Sequence, residues 1–271
     1  MNYKDYIKAI MFDFDGTLID FNYQATDYTK QALKLLSEKD YKIVLSSGRP
    51  CYIAKKAYEQ FFKEYPLDYI FGCNGSEMMD LRNNQIDILF PLKAEIVRKI
   101  GKMLNHPKIT LGIYDGETFL VNKEVNNPVL IDWMNARWLT PVIYDYSIND
   151  KDRSKVLAIS DPNDRKEVQE FLNSLDLSEV NGFFSSPICF EIAPKGISKG
   201  KSVELLADKL NIETKQILAF GDMENDVDML LTATGVIMDN AADELKKIIP
   251  LHTDAVDKMG IYKFLKENDL I

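Results

Sequence analysis

Short runs of uninterrupted apolar residues set the limits on what this chain can become. They are Ile10-Met11-Phe12, Ile43-Val44-Leu45, Tyr69-Ile70-Phe71, Ile217-Leu218-Ala219-Phe220 and Val236-Ile237-Met238. A strand with one wet face alternates polar and apolar residues. Runs without alternation read instead as strands buried on both faces, as in a parallel sheet. Helical spacing lies between them: Tyr28, Ala32, Leu35 and Leu36 share a face, as do Val203, Leu206, Ala207 and Leu210. Strand–helix alternation at both ends of the chain predicts an α/β fold built on a doubly wound, Rossmann-like parallel sheet.

The middle of the chain follows another rule. Residues 77–90 place Asn83-Asn84 between two strand-like runs, a hairpin signal because Asn tolerates positive φ. A helical face of Ile96, Val97, Ile100, Met103 and Leu104 comes next. Asp115-Gly116 then marks a second hairpin, followed by the strand–helix pair 155–160 and 164–175. Hairpins mixed with helices predict a separate inserted α+β domain at 83–187, leaving a discontinuous core of 1–82 and 188–271. No fixed-period repeat interrupts this plan.

Composition narrows the partners. Of 271 residues, 46% are hydrophobic and 28% charged, the mix of a folded protein with an ample core. Lys and Arg number 33 against 42 Asp and Glu, a net charge of −9, which argues against nucleic acid and anionic membranes as partners. No stretch reaches the ~18 apolar residues of a membrane span, and the opening residues, cut by Lys and Asp, lack a secretory h-region. Cys51, Cys73 and Cys189 form no C-x-x-C pair and read as buried thiols of a reducing compartment, so a cytoplasmic location is expected. His106 and His252 are too few and too scattered for a histidine metal site.

Chemistry-bearing residues collect where the buried strands end, and ligands of open α/β sheets bind beyond such carboxyl ends. Asp13 and Asp15 follow the first run, one residue apart on an extended backbone, so their side chains share a side. Ser46-Ser47-Gly48-Arg49 follows the second and offers a hydroxyl and a close backbone N–H to a phosphate oxygen. Lys195-Gly196-Ile197-Ser198-Lys199-Gly200-Lys201-Ser202 opens a helix and falls one residue short of a Walker A loop. Gly221-Asp222-Met223-Glu224-Asn225-Asp226 crowds acids beyond the fourth run, which a hard divalent cation such as Mg²⁺ would neutralise. Taken singly, the first three read more simply as turns or a helix start, and only the fourth points to a metal by itself; their convergence on one sheet edge favours a common site.

Together these motifs resemble those of haloacid-dehalogenase-superfamily phosphatases, specifically the Cof-type group with a type IIB cap. Asp13-x-Asp15-Gly16-Thr17-Leu18 resembles the first family motif, Ser47-Gly48-Arg49-Pro50 the second, Ser198-Lys199-Gly200 the third and Gly221-Asp222-x-x-Asn225-Asp226 the fourth. Asn74-Gly75 and Gly235-Val236-x-Met238-x-Asn240-Ala241 are minor matches. Ser76 stands where Ala is commoner, and the segment around His252-Thr253-Asp254 is less typical.

The resemblance implies a Mg²⁺-dependent phosphatase acting on a small phosphorylated metabolite of sugar-phosphate type. Asp13 would be the nucleophile and Asp15 the acid–base. The cation would sit on Asp13, the Asp15 carbonyl and Asp222, with Asp226 behind them. Ser47, Gly48, Lys199, Asn225 and the Phe14 amide would hold the phosphoryl oxygens, and the cap would act as a mobile lid. Tyr114, Asp115, Trp133 and Trp138 read either as substrate contacts or as cap core and turn. A phosphomutase or phosphotransferase using Asp13 is the alternative, followed by a nucleotide-binding module on the lysine-rich loop. Carbon–halogen chemistry needs neither the second carboxylate nor the acidic cluster, so a dehalogenase is disfavoured. Oligomeric state is left open.

Overall fold

A computed structural model of the chain describes residues 3–116 and 118–271. The strands in chain order are β1 (Ala9–Phe12), β2 (Lys42–Ser46), β3 (Tyr69–Gly72), β4 (Glu77–Asp80) and β5 (Gln85–Ile88). Next come β6 (Thr110–Asp115), β7 (Thr118–Val121), β8 (Thr140–Ile143), β9 (Val156–Ile159), β10 (Asn181–Phe184) and β11 (Cys189–Ala193). The last are β12 (Ile217–Gly221), β13 (Thr234–Met238) and β14 (Leu251–Thr253). Each of the apolar runs is a strand, and the two helical faces lie on helices Asp27–Ser37 and Lys199–Leu210. Among the described residues no helix is long and apolar enough to cross a membrane.

The chain divides into two compact units, residues 1–87 with 198–271, and residues 88–197. The first holds an eight-stranded sheet in the order β14-β13-β12-β1-β2-β3-β4-β5, parallel from β14 to β3 and antiparallel between β3 and β4. Phe12 of β1 is level with Phe220 of β12 on one side and with Leu45 of β2 on the other. The next residues of all three strands therefore emerge together at one edge. Beneath that edge the Phe12 and Phe220 rings stack 5.4 Å apart, in a core that includes Ile10, Ile43, Leu45, Ile70, Leu218 and Leu265. A fixed apolar floor of this kind keeps the polar residues above it from shifting.

The second unit is a six-stranded sheet, β10-β11-β9-β6-β7-β8, antiparallel except for the parallel pair β7–β8. Leu111, Ile113, Val156, Ala158 and Ile192 of the sheet pack with Val97 and Ile100 of helix Ala94–Met103 and with Val168 and Leu172 of helix Arg165–Asn173. The units part at 87/88 and 197/198, where the sequence suggests 82/83 and 187/188. The β4–β5 hairpin turns at Asn83-Asn84, with Asn84 at φ 55°, and continues the first sheet. At the other boundary β11 is hydrogen bonded to β9 and β10. Both shifts reflect long-range pairing, which a local turn signal does not encode.

Candidate active site

Asp13 continues β1, and its amide donates to the Phe220 carbonyl at 3.0 Å. Its carboxylate lies beneath the surface, 6% exposed. Lys199 reaches it from the first turn of helix Lys199–Leu210, whose N-terminus is capped by the Ser198 hydroxyl accepting from the Lys201 amide. The Lys199 ammonium is 2.5 Å from Asp13 Oδ1 and 2.6 Å from Asp226 Oδ1. Asp226 Oδ2 accepts from the amides of Asp222 (3.1 Å) and Met223 (2.9 Å), so both of its oxygens are engaged by the protein. Asp222 directly follows β12. Its Oδ1 accepts from the Thr17 hydroxyl at 3.0 Å and its Oδ2 from the Asn240 amide at 3.1 Å.

Asp13, Asp222 and Asp226 each offer an oxygen within 4.8 Å of the others, and all three are buried. Burial, then the Asp226 charge, push the Asp13 carboxyl well above the usual carboxylate range, against the pull of Lys199. The same two causes carry Asp222 up to about 7, opposed by its bond from Thr17 and by Lys199. For Lys199 burial works against the charged form, but the carboxylates of Asp13 and Asp226 outweigh it and hold the ammonium charged. Three acids against one ammonium leave an excess of negative charge that suits a divalent cation with hard oxygen ligands. Gly16, at φ 89°, belongs to this arrangement: a Cβ there would come within 2.2 Å of Asp222 Oδ2.

A second cluster lies at the ends of β2 and β3. Cys73, Asn74 and Gly75 all have positive φ, at 51°, 55° and 100°. The turn is held by the Asn74 amide donating to the Ser47 carbonyl (3.0 Å) and the Cys73 amide donating to the Arg49 carbonyl (2.8 Å). Asn225 Nδ2 donates to Asn74 Oδ1 at 3.4 Å, and a Cβ built on Gly48 would meet the same oxygen at 3.3 Å. The Ser47 hydroxyl accepts from the Arg49 amide at 3.1 Å. Ser47, Gly48 and Asn225 are thus gathered around Asn74.

The Phe14 side chain points into the core, 1% exposed, with the Arg49 guanidinium 5.6 Å from its ring centre. That guanidinium clamps Asp15 through two bonds, Nη2 to Oδ1 at 2.7 Å and Nε to Oδ2 at 3.0 Å. Asp15 is the most open of the acids, with 42% of its side chain exposed.

The second unit gives its aromatic residues structural partners. Trp133 is buried, 6.3 Å from the Phe119 ring; Tyr114 also packs on Phe119; and Asp115 pairs with Arg153 at 3.0 Å. Trp138, on a left-handed turn, is 37% exposed. Cys51, Cys73 and Cys189 are buried free thiols. Burial pushes the Cys189 thiol up to about 12.

Thr17, Arg49, Asn74 and Asn240 hold the named residues in place, and none of the four carries a site assignment from the sequence. Their membership of the matched motifs was the available signal. What they bond to depends on pairs as distant as Thr17 and Asp222.

A doubly wound α/β sheet that gathers three buried acids and a buried lysine beyond one strand edge forms a site suited to a divalent cation and an anionic ligand. Residues 10–265 match the family described as haloacid dehalogenase-like hydrolases, and the chain belongs to that family, as an enzyme among its phosphatases. A curated relative, the HMP-PP phosphatase of Serratia proteamaculans, is 26% identical over 246 residues, covering 88% of this chain and 86% of the relative. The solved structure of a haloacid dehalogenase-like hydrolase from Bacteroides thetaiotaomicron superposes with a TM-score of 0.84 at 23% identity, covering 96% of this chain and 99% of the other. A solved sugar phosphatase described as subclass IIB of the superfamily gives a TM-score of 0.78 at 21% identity, covering 97% of this chain and all (100%) of the other.

Proposed function

We propose that this phosphatase hydrolyses small, sugar-phosphate-like monoesters through an aspartyl phosphate on Asp13, with Mg²⁺ as its cofactor. The observation that carries this reading is the buried cluster of Asp13, Asp222, Asp226 and Lys199 at the edge of the parallel sheet. Asp13, the backbone carbonyl of Asp15, and Asp222 would hold the cation, with Asp226 behind them. When bound, Mg²⁺ would offset the negative charge of the phosphoryl oxygens and of the acids around them.

A carboxylate oxygen of Asp13 attacks phosphorus in line with the ester oxygen. The new bond is Asp13 O–P; the P–O bond to the alcohol breaks, and its electron pair leaves with that oxygen. Asp15, entering the first step as the protonated acid, gives its proton to the departing oxygen; the carboxylate left behind then takes a proton from the water that attacks the aspartyl phosphate, returning Asp13, restoring the acid and releasing phosphate. Each oxygen of Asp15 can accept more than one hydrogen bond, so the Arg49 clamp leaves room for that water. Lys199, Ser47, Asn225 and the Phe14 amide stabilise the oxygens of the transferring group, the largest contribution a protein makes to such chemistry. Residues 88–197 would be the cap that recognises the alcohol portion. The activity of the subclass IIB neighbour, a sugar phosphatase, supports the sugar-phosphate class, and three buried free thiols support a cytoplasmic location.

The lysine-rich stretch favours this reading over a nucleotide-binding loop. Lys199 is committed to Asp13 and Asp226, and Lys201 is paired with Glu204 on the surface at 2.5 Å. The test is phosphate release from an aryl phosphate, expected to vanish with a chelator and in Asp13→Asn. Release that survives both would overturn the mechanism; transfer to an added sugar with little free phosphate would favour the phosphomutase alternative.

A further inference from the structure

We infer that Asn240 is a positioning residue for the cation-holding carboxylate of Asp222, a role that rests on the reading of Asp222 as a cation ligand. Asn240 lies two residues beyond β13, on a turn closed by the Ala241 amide donating to the Met238 carbonyl at 3.1 Å. Its side-chain amide makes three hydrogen bonds. Nδ2 donates to the Gly16 carbonyl at 2.9 Å and to Asp222 Oδ2 at 3.1 Å, while Oδ1 accepts from the Val256 amide at 3.1 Å. Both amide protons and the carbonyl are used. The opposite orientation of the amide would set Nδ2 against an N–H and Oδ1 against two acceptors, so the partners dictate which way it points.

Asn240 thereby ties three places together: the turn after β1, the end of β12 and the segment after β14. Asp222 needs such a tie. It is 1% exposed and within reach of two other acids, whose charges push it away. Thr17 on Oδ1 and Asn240 on Oδ2 give each oxygen one protein donor and leave each a further lone pair. Both donors are neutral. A lysine or arginine in the place of Asn240 would hold the carboxylate equally well but cancel the charge that attracts a cation. An amide orients Asp222 and leaves its charge intact. Partners of this kind, one bond removed from the metal, typically change its affinity 10–100-fold when lost.

The experiment is calorimetric titration of the full chain with Mg²⁺ alone, for the unaltered protein, Asn240→Ala and Asn240→Leu. The leucine variant keeps the branching and the number of side-chain heavy atoms and covers the case in which the alanine variant is too unstable to titrate. Thermal midpoints are measured with and without the cation. The expected result is binding weakened about 10–100-fold in the variants. The rise in midpoint at a fixed Mg²⁺ concentration should shrink accordingly, and half-maximal phosphate release should need more Mg²⁺ by a similar factor. A lowered metal-free midpoint with unchanged affinity would make Asn240 a purely structural residue and overturn the inference alone. An unaltered protein that takes up no Mg²⁺ would overturn the cation reading of Asp222, and this inference with it.

Discussion

The attack proposed for Asp13 requires a carboxylate, and burial opposes that form. Lys199, itself 1% exposed, works the other way by placing an ammonium against Asp13 and Asp226 at once, while burial and the Asp226 charge still hold the Asp13 carboxyl above the usual range. Asp15 lives under different physics. It is half open to solvent and held by a planar guanidinium, a partner that fixes the plane of a carboxylate more firmly than a lysine would. Two acids one residue apart thus have separate environments, which matches their separate proposed tasks. Asp15→Asn is expected to lower turnover ~10²–10⁴-fold, the usual worth of a general acid–base, while leaving Mg²⁺ affinity close to that of the unaltered protein. Turnover and calorimetric titration check the two halves; unchanged turnover would remove Asp15 from the role.

The elements carry the site through their ends. Helix Cys51–Phe62 begins directly after Arg49-Pro50, and its first amide, Cys51 N, donates to the buried Glu77 Oε2 of β4 at 2.8 Å. Between β1 and the rest of the site, Gly16 permits a turn that no other residue would make cheaply. Gly16→Ala combines a left-handed backbone with a Cβ 2.2 Å from Asp222 Oδ2, an oxygen already pinned by Asn240. It is expected to lose ~1–3 kcal/mol of stability and to weaken Mg²⁺ binding, measured by denaturant unfolding and titration. The strands were legible in the sequence because burial on both faces leaves an unbroken apolar signature, as in Ile217-Leu218-Ala219-Phe220. Asp13, Asp222 and Lys199 were legible because they follow such runs or open a helix. The β4–β5 hairpin could be read as a hairpin but not assigned to its sheet: Asn83-Asn84 encodes a turn, whereas β4 pairs along β3. Thr17 and Asn240 were unreadable as supports for a similar reason, since their bonds to Asp222 are side-chain geometry that only the assembled sheet creates.

Across the whole molecule, every proposed cation ligand belongs to residues 1–87 and 198–271, while residues 88–197 have an apolar core of their own. A ligand bound only by the folded state stabilises it by about 2.7 kcal/mol at a concentration of 100 Kd. Mg²⁺ should therefore slow hydrogen exchange in the strands around Asp13 and Asp222 and leave that of residues 88–197 unchanged. Exchange mass spectrometry with and without the cation reads this directly; equal slowing in both units would place the ion elsewhere. The order of strands has a consequence for how the protein is made. β1 lies between β2 and β12, and roughly 200 residues must leave the ribosome after β1 before β12 arrives, about 10–40 s at usual translation rates. For that interval one hydrogen-bonding edge of a central strand stays uncovered. Nascent chains halted before residue 217 should be the species that associate with one another and that holding chaperones retain.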